Sequence, residues 1–167
     1  MQTFLPYRDF YKSLQCLDTK RLGKQRLETF QILDILINGK NNNYKIHPAV
    51  RMWKGFEDIL KIYFNVNIYV WKDRGYRNNY ETFSDIDENL NNYKLPDWWS
   101  DDRLFHSHRA NLLRKKYIYY NAYFWGNYPI DFPYYWPVST SKEEWYIGNW
   151  DYKLQELVKY GHIVKIN

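Results

Sequence analysis

Residues 19–37, TKRLGKQRLETFQILDILI, set the strongest limit on the fold: apolar side chains recur at helical spacing, at Leu22, Thr29, Phe30, Leu33, Leu36 and Ile37. A stripe of that width must be buried against other elements, and Gly39 just beyond it is a natural helix stop. Opposite the stripe, a wheel at 100° per residue sets Arg21, Lys24, Glu28 and Gln31 on one polar side.

Two further segments repeat this pattern. Residues 48–74 open with Pro48, favoured in a first turn, and run to Gly75, so the spacing predicts one long helix bent near Gly55 or Asn65. Ser100 and Asp101 are good capping residues for a helix over about 101–124, ended by Gly126 and Pro129. An extended opening reaches Pro6, and the polar 76–99 segment is read as loop with one short helix around 81–90. Three prolines among the aromatics of 126–138 predict an ordered loop packed on the body and closing one side of a groove. Beyond it, Thr140 with Glu143 or Ser141 with Glu144 fits a capping box, a helical piece falls near 150–160, and HIVKI at 162–166 reads as a short strand. The fold class expected is all-α, one compact bundle with long ordered loops. Residues 1–138 form its main domain, and 139–167 a C-terminal extension packed on it.

Composition narrows the partners. Lys and Arg total 24 against 19 Asp and Glu, which favours a polyanion. A single cysteine, Cys16, forms no internal disulfide and no CxxC metal pair, so an intracellular, reducing setting is expected. Charged residues interrupt the start where a signal peptide needs an apolar run, and no stretch is apolar enough to span a membrane.

Several polar residues sit where they invite chemistry, each with a plainer alternative. Lys24 and Glu28 make either a surface i,i+4 pair or a carboxylate set among cations. Arg26 falls beside Leu22, Phe30 and Leu33, and so meets either a buried ion-pair partner or a phosphate. Arg51 and Lys54 flank Trp53, a mixture suited to phosphates and unstacked bases, or else a solvated face with Trp53 in the core. His106 and Arg109 intrude on the apolar side of Phe105, Leu112 and Leu113. His106 is equally readable as a satisfied core histidine, and that reading is preferred for His108. The two rings diverge on a helix and no other ligands cluster with them, so no metal site is expected. Arg74, Arg77, Arg114, Lys115 and Lys116 either extend a phosphate track or solvate helix ends.

MQTFLPY at the start, LDTKRLGKQRLETFQIL at 17–33, HPAVRMWKG at 47–55, RGY at 74–76, HSHRANLLRK at 106–115 and YYWPV at 134–138 together resemble the pyrimidine-dimer DNA glycosylases of the phage endonuclease V type, especially their microbial and viral branch. The resemblance implies a glycosylase coupled to an abasic-site lyase, acting as a monomer on damaged double-stranded DNA without metal or organic cofactor. The terminal amine attacks the sugar's anomeric carbon, expels the base and leaves an imine. An α-amine suits this, its ordinary pKa being about 8. Because Gln2 is bulky, Met1 is expected to stay in place and supply that amine. Glu28 stands at the position of the assisting carboxylate, and Arg21, Lys24, Arg26, Arg51, Lys54, His106 and Arg109 are the expected DNA contacts. Two other readings share these residues: a nucleic-acid-binding protein without the chemistry, and a glycosylase for another modified base.

Overall fold

A computed structural model describes residues 1–39 and 43–123, the isolated residues 125, 130 and 132, the strand at 135–137 and the backbone of 145–147. Among these residues the protein is mainly helical. It contains helices α1 (Phe10–Gln15), α2 (Thr19–Asn38), α3 (Pro48–Arg51), α4 (Glu57–Asp73), α5 (Asp102–Lys115) and α6 (Tyr117–Tyr120), with short 3-10 turns between. A two-stranded antiparallel ribbon pairs β1 (Tyr135–Pro137) with β2 (Trp145–Ile147), Trp136 opposite Tyr146. No helix among the described residues is long and apolar enough to cross a membrane.

Local chemistry explains most helix ends. Asp18 caps α2 by accepting the Arg21 N–H, and Gly39 terminates it at φ 64°, a left-handed conformation that glycine enters without a Cβ penalty. The apolar stripe of α2 is rotated from its expected position: Phe30 is 40% and Ile37 49% exposed, while Gln25 and Glu28 are buried. The rotation arises because an extended N-terminal segment covers the Gln25 and Glu28 side. Between α2 and α4 a glycine permits a close approach, since a Cβ on Gly23 would lie 3.0 Å from the Trp71 ring.

The single long helix expected over 48–74 is two helices. Met52 to Phe56 turn between α3 and α4, with Gly55 at φ 85°. That turn sends Trp53 and Met52 into the core, where Trp98 donates to the Met52 carbonyl at 3.1 Å. Glu57 and Asp58 then start α4, where acidic side chains offset the exposed N–H groups of a first turn.

No α-helix forms at 81–90. Asn65 of α4 instead grips the extended chain there, its amide donating to the Phe83 carbonyl at 2.8 Å and accepting the Phe83 N–H at 2.9 Å. A tertiary amide pair thus replaces the local helical bonds that the sequence offered.

The helix expected over 101–124 breaks at Lys116, whose φ of −158° and ψ of 73° lie outside helical space. The break turns Tyr120 into the core, where its O–H donates to Asp18 Oδ2 at 2.7 Å and its oxygen accepts the Asp18 N–H at 3.1 Å. The short helix α1, held by Asp9 accepting the Lys12 N–H at 2.8 Å, arises in the stretch between Pro6 and Thr19 for which no helix was predicted. In the region read as an ordered loop, Arg114 donates to the Ile130 and Phe132 carbonyls at 2.6 and 2.9 Å. Trp145–Ile147, which follow the expected capping boxes, are strand; the capping boxes themselves, the 150–160 helix and the 162–166 strand lie outside the described residues.

Candidate active site

The first six residues run extended through the interior, with Gln2 to Pro6 all buried. A buried strand without a neighbouring strand must find partners for its backbone groups among side chains, and each major element supplies one. Gln25 of α2 accepts the Phe4 N–H at 2.8 Å and donates to the Gln2 carbonyl at 2.9 Å. Tyr63 of α4 points its O–H between the Phe4 carbonyl and Gln25 Oε1, at 3.0 and 2.9 Å. His108 of α5 accepts the Leu5 N–H on Nδ1 at 2.8 Å, and Arg109 donates to the Pro6 carbonyl at 2.7 Å. Trp53 donates to the Thr3 hydroxyl at 2.9 Å.

These contacts set protonation states. With Nδ1 accepting, neutral His108 carries its proton on Nε2, which meets the Gln2 amide at 3.3 Å; the amide's oxygen is the partner suited to that N–H. Burial disfavours the imidazolium and pushes the His108 pKa down to about 3. His108 is therefore a satisfied core histidine. Burial likewise raises the Tyr63 phenol well above its ordinary value.

At the mouth of this clamp lies Glu28, 8% exposed, its Oε2 3.5 Å from the same Gln25 nitrogen that holds the Gln2 carbonyl. Its other oxygen is 3.4 Å from the Lys24 ammonium, which is largely in solvent. Met1 is half-buried against the core. The pKa of His47 is lowered first by burial and then by the chain's terminal ammonium. His47 Nδ1 caps α3 by accepting the Ala49 N–H at 3.0 Å, leaving the ring proton on Nε2. Trp136 packs edge-on against both His47 and His108, at 6.0 and 6.4 Å between ring centres. Gln25 thus links the backbone of residue 2 to Glu28 on one side, and Trp136 links His108 to His47 on the other.

A family model for pyrimidine dimer DNA glycosylases matches residues 1–84, just over half of the chain and all of α1 to α4. The chain belongs to the pyrimidine dimer DNA glycosylase family. No curated protein and no solved structure matches it. Membership makes it a DNA repair glycosylase, with DNA as its substrate.

For a pyrimidine dimer DNA glycosylase, the residues singled out from sequence fall into two groups. Lys24 and Glu28 lie together next to Gln25, which holds the carbonyl of residue 2, while Arg51 and Lys54 are exposed on and just after α3. Arg21 pairs instead with Asp18 and lies over the Tyr120 ring. Arg26 stacks 4.0 Å from the Trp71 ring centre and donates to Asn78 at 2.8 Å. Arg109 holds Pro6, with its guanidinium over Tyr7. His106 is half-buried with its ring against Phe132, and its pKa is lowered by burial and by Arg109. Trp53 is core, and Arg74 donates to the Gln15 and Leu17 carbonyls at and just past the end of α1.

Gln25, Tyr63 and His47 are the participants that sequence reasoning passed over. Gln25 does carry a signal, for on the α2 wheel it shares the side of Leu22, Thr29 and Ile32, where an amide must find partners. Tyr63 carries none, because its partners are remote in sequence, and His47 signals only its local role as the cap of the helix that Pro48 opens. Among the described residues, no three His, Cys, Asp or Glu side chains lie together as a metal site.

Proposed function

We propose that this glycosylase also cleaves the strand, through an imine formed on the amine of Met1, with damaged, pyrimidine-dimer-like duplex DNA as substrate. The observation that carries this is the position of Gln25: one nitrogen donates to the Gln2 carbonyl at 2.9 Å and lies 3.5 Å from the Glu28 carboxylate. This shared neighbour supports a start of the chain and an acid lying close together before DNA arrives, the orientation a nucleophile and its proton carrier need.

In the reaction, the neutral amine nitrogen bonds to C1′ as the C1′–base bond breaks and its electron pair leaves with the base, which takes up a proton. Opening of the sugar ring transfers a proton to O4′ and gives the imine. Loss of a C2′ proton then drives departure of the 3′ phosphate and nicks the strand. Glu28 stabilises positive charge at C1′ in the first step and moves protons in the later ones. Lys24, Arg51 and Lys54 serve the flanking phosphates, with Arg21, Arg26, His106 and Arg109 supporting that surface from within. The protein acts as a monomer through residues 1–138, with 139–167 an extension on the same domain.

Borohydride tests this directly. Wild-type protein and a duplex bearing a dimer or an abasic site should yield a covalent adduct joined at Met1, identified by mass spectrometry. Acetylating the terminus or substituting Glu28→Gln should abolish cleavage. Steeply salt-dependent binding with no adduct would assign the chain to DNA binding alone, and adducts only on other lesions would reassign the substrate.

A further inference from the structure

Between Asp34 and Glu57 the chain has no acidic residue, while Lys40, Lys45, Arg51 and Lys54 supply four cations. In the middle of this run stands Ile46, the last residue of the 3-10 turn Asn43–Ile46, with 79% of its surface in solvent. A lone exposed aliphatic side chain is ordinary. This one differs in how it is held and in what surrounds it.

The turn is closed by the His47 N–H donating to the Tyr44 carbonyl at 2.9 Å, and the next residues are anchored as the capped start of α3. Ile46 therefore projects from a fixed base. Its neighbour His47 packs against Trp136, whose ring also meets His108 where that residue holds Gln2 and Leu5, which sets Ile46 next to the N-terminal segment. Lys45, Arg51 and Lys54 are exposed, and none has an acidic partner among the described residues. Cations around a rigid aliphatic tip complement a duplex, whose phosphates lie outside and whose apolar base faces are reached only by parting the stack.

We propose that Ile46 is a wedge that enters the base stack beside the lesion, while Lys45, Arg51 and Lys54 hold the adjoining phosphates. This rests on the glycosylase reading and specifies how the target is opened. Insertion moves the side chain from water to base faces, offsetting part of the unstacking energy. A damaged pair is cheaper to open than an intact one, so the wedge also favours lesions.

The test compares wild type with Ile46→Ala, a truncation in solvent that leaves the core untouched, and with Ile118→Ala, an exposed control on α6. Two duplexes are used, one with a dimer in intact surroundings and one whose dimer lies in a pre-opened bubble; each carries 2-aminopurine next to the lesion. On the intact duplex Ile46→Ala should lose the fluorescence rise that accompanies unstacking and slow single-turnover cleavage at least about tenfold. On the bubble it should match wild type within about twofold, and Ile118→Ala should match wild type on both. Wild-type rates on the intact duplex, or equal slowing on both substrates, would overturn the wedge. If wild type itself forms no adduct, the lyase reading fails, while the fluorescence rise and its loss in Ile46→Ala still decide the wedge.

Discussion

Replacing Gln25 by leucine tests the clamp on the N-terminal segment, because leucine nearly matches glutamine in volume but bonds to nothing. Two buried backbone groups would lose their partners, the Phe4 N–H and the Gln2 carbonyl, now paired at 2.8 and 2.9 Å. Tyr63 would keep the Phe4 carbonyl as its acceptor. Each stranded group costs about 1–3 kcal/mol, so Gln25→Leu should destabilise the fold by about 3 kcal/mol and lower Tm by roughly 6–12 °C for a chain of this size. Urea unfolding followed by tryptophan fluorescence measures the first figure, and a thermal scan the second. The amine would lose its anchor as well, and a displacement of about 1 Å at a reacting atom costs on the order of 100-fold in rate. Borohydride trapping, run where the variant is still folded, should show that loss. Gln25→Glu separates the two effects: it keeps an acceptor for Phe4 and Tyr63 but sets a second carboxylate against Glu28 and the Gln2 carbonyl. Its adduct formation should be poor at neutral pH and improve as the new carboxylate protonates. A Gln25→Leu protein within about 1 kcal/mol of wild type, or one that traps DNA at the wild-type rate, would refute the reasoning.

Stability should fall as pH drops from 6.5 toward 5, because an unfolded imidazole takes up a proton there whereas folded His108 does so only near pH 3. The slope should approach one proton, about 1.4 kcal/mol per pH unit, and flatten in a folded His108→Gln variant; urea titrations at stepped pH would expose the opposite trend. Arg51→Ala and Lys54→Ala should each lower the salt slope of DNA binding by about 0.9, with no change in unfolding free energy beyond about 0.5 kcal/mol; an unchanged slope would remove both residues from the phosphate contacts. Asp18→Ala should cost about 2–3 kcal/mol, since Asp18 caps α2, binds Arg21 and receives the Tyr120 hydroxyl. Burial alone would raise the Asp18 carboxyl, but the bonds from Tyr120 and Arg21 outweigh it and hold the pKa below the ordinary value, so this contribution should fade in acid.

What could be read directly from the chain was local. Gly39, Pro48, Gly75 and Asp101 mark helix ends through their own backbone preferences or a hydrogen bond to a residue two positions away, and so they appear in sequence. The cationic run around α3 and the order of the family motifs are legible for the same reason. Tertiary structure alone determined that Phe30 faces water while Gln25 and Glu28 are covered, because helical periodicity reports which sides of one helix are apolar and not which extended segment will lie on them. It gave Arg21 its pairing with Asp18 and Arg26 its stacking on Trp71, the latter a contact that the helical wheel does not show. It also split the helices at Gly55 and Lys116, where Trp53 and Tyr120 gain buried partners 50 and 102 residues away. The candidate site depends on such long-range contacts: the partners of Gln2, Phe4 and Leu5 lie 21 to 106 residues away along the chain, and nothing in the neighbouring letters marks them.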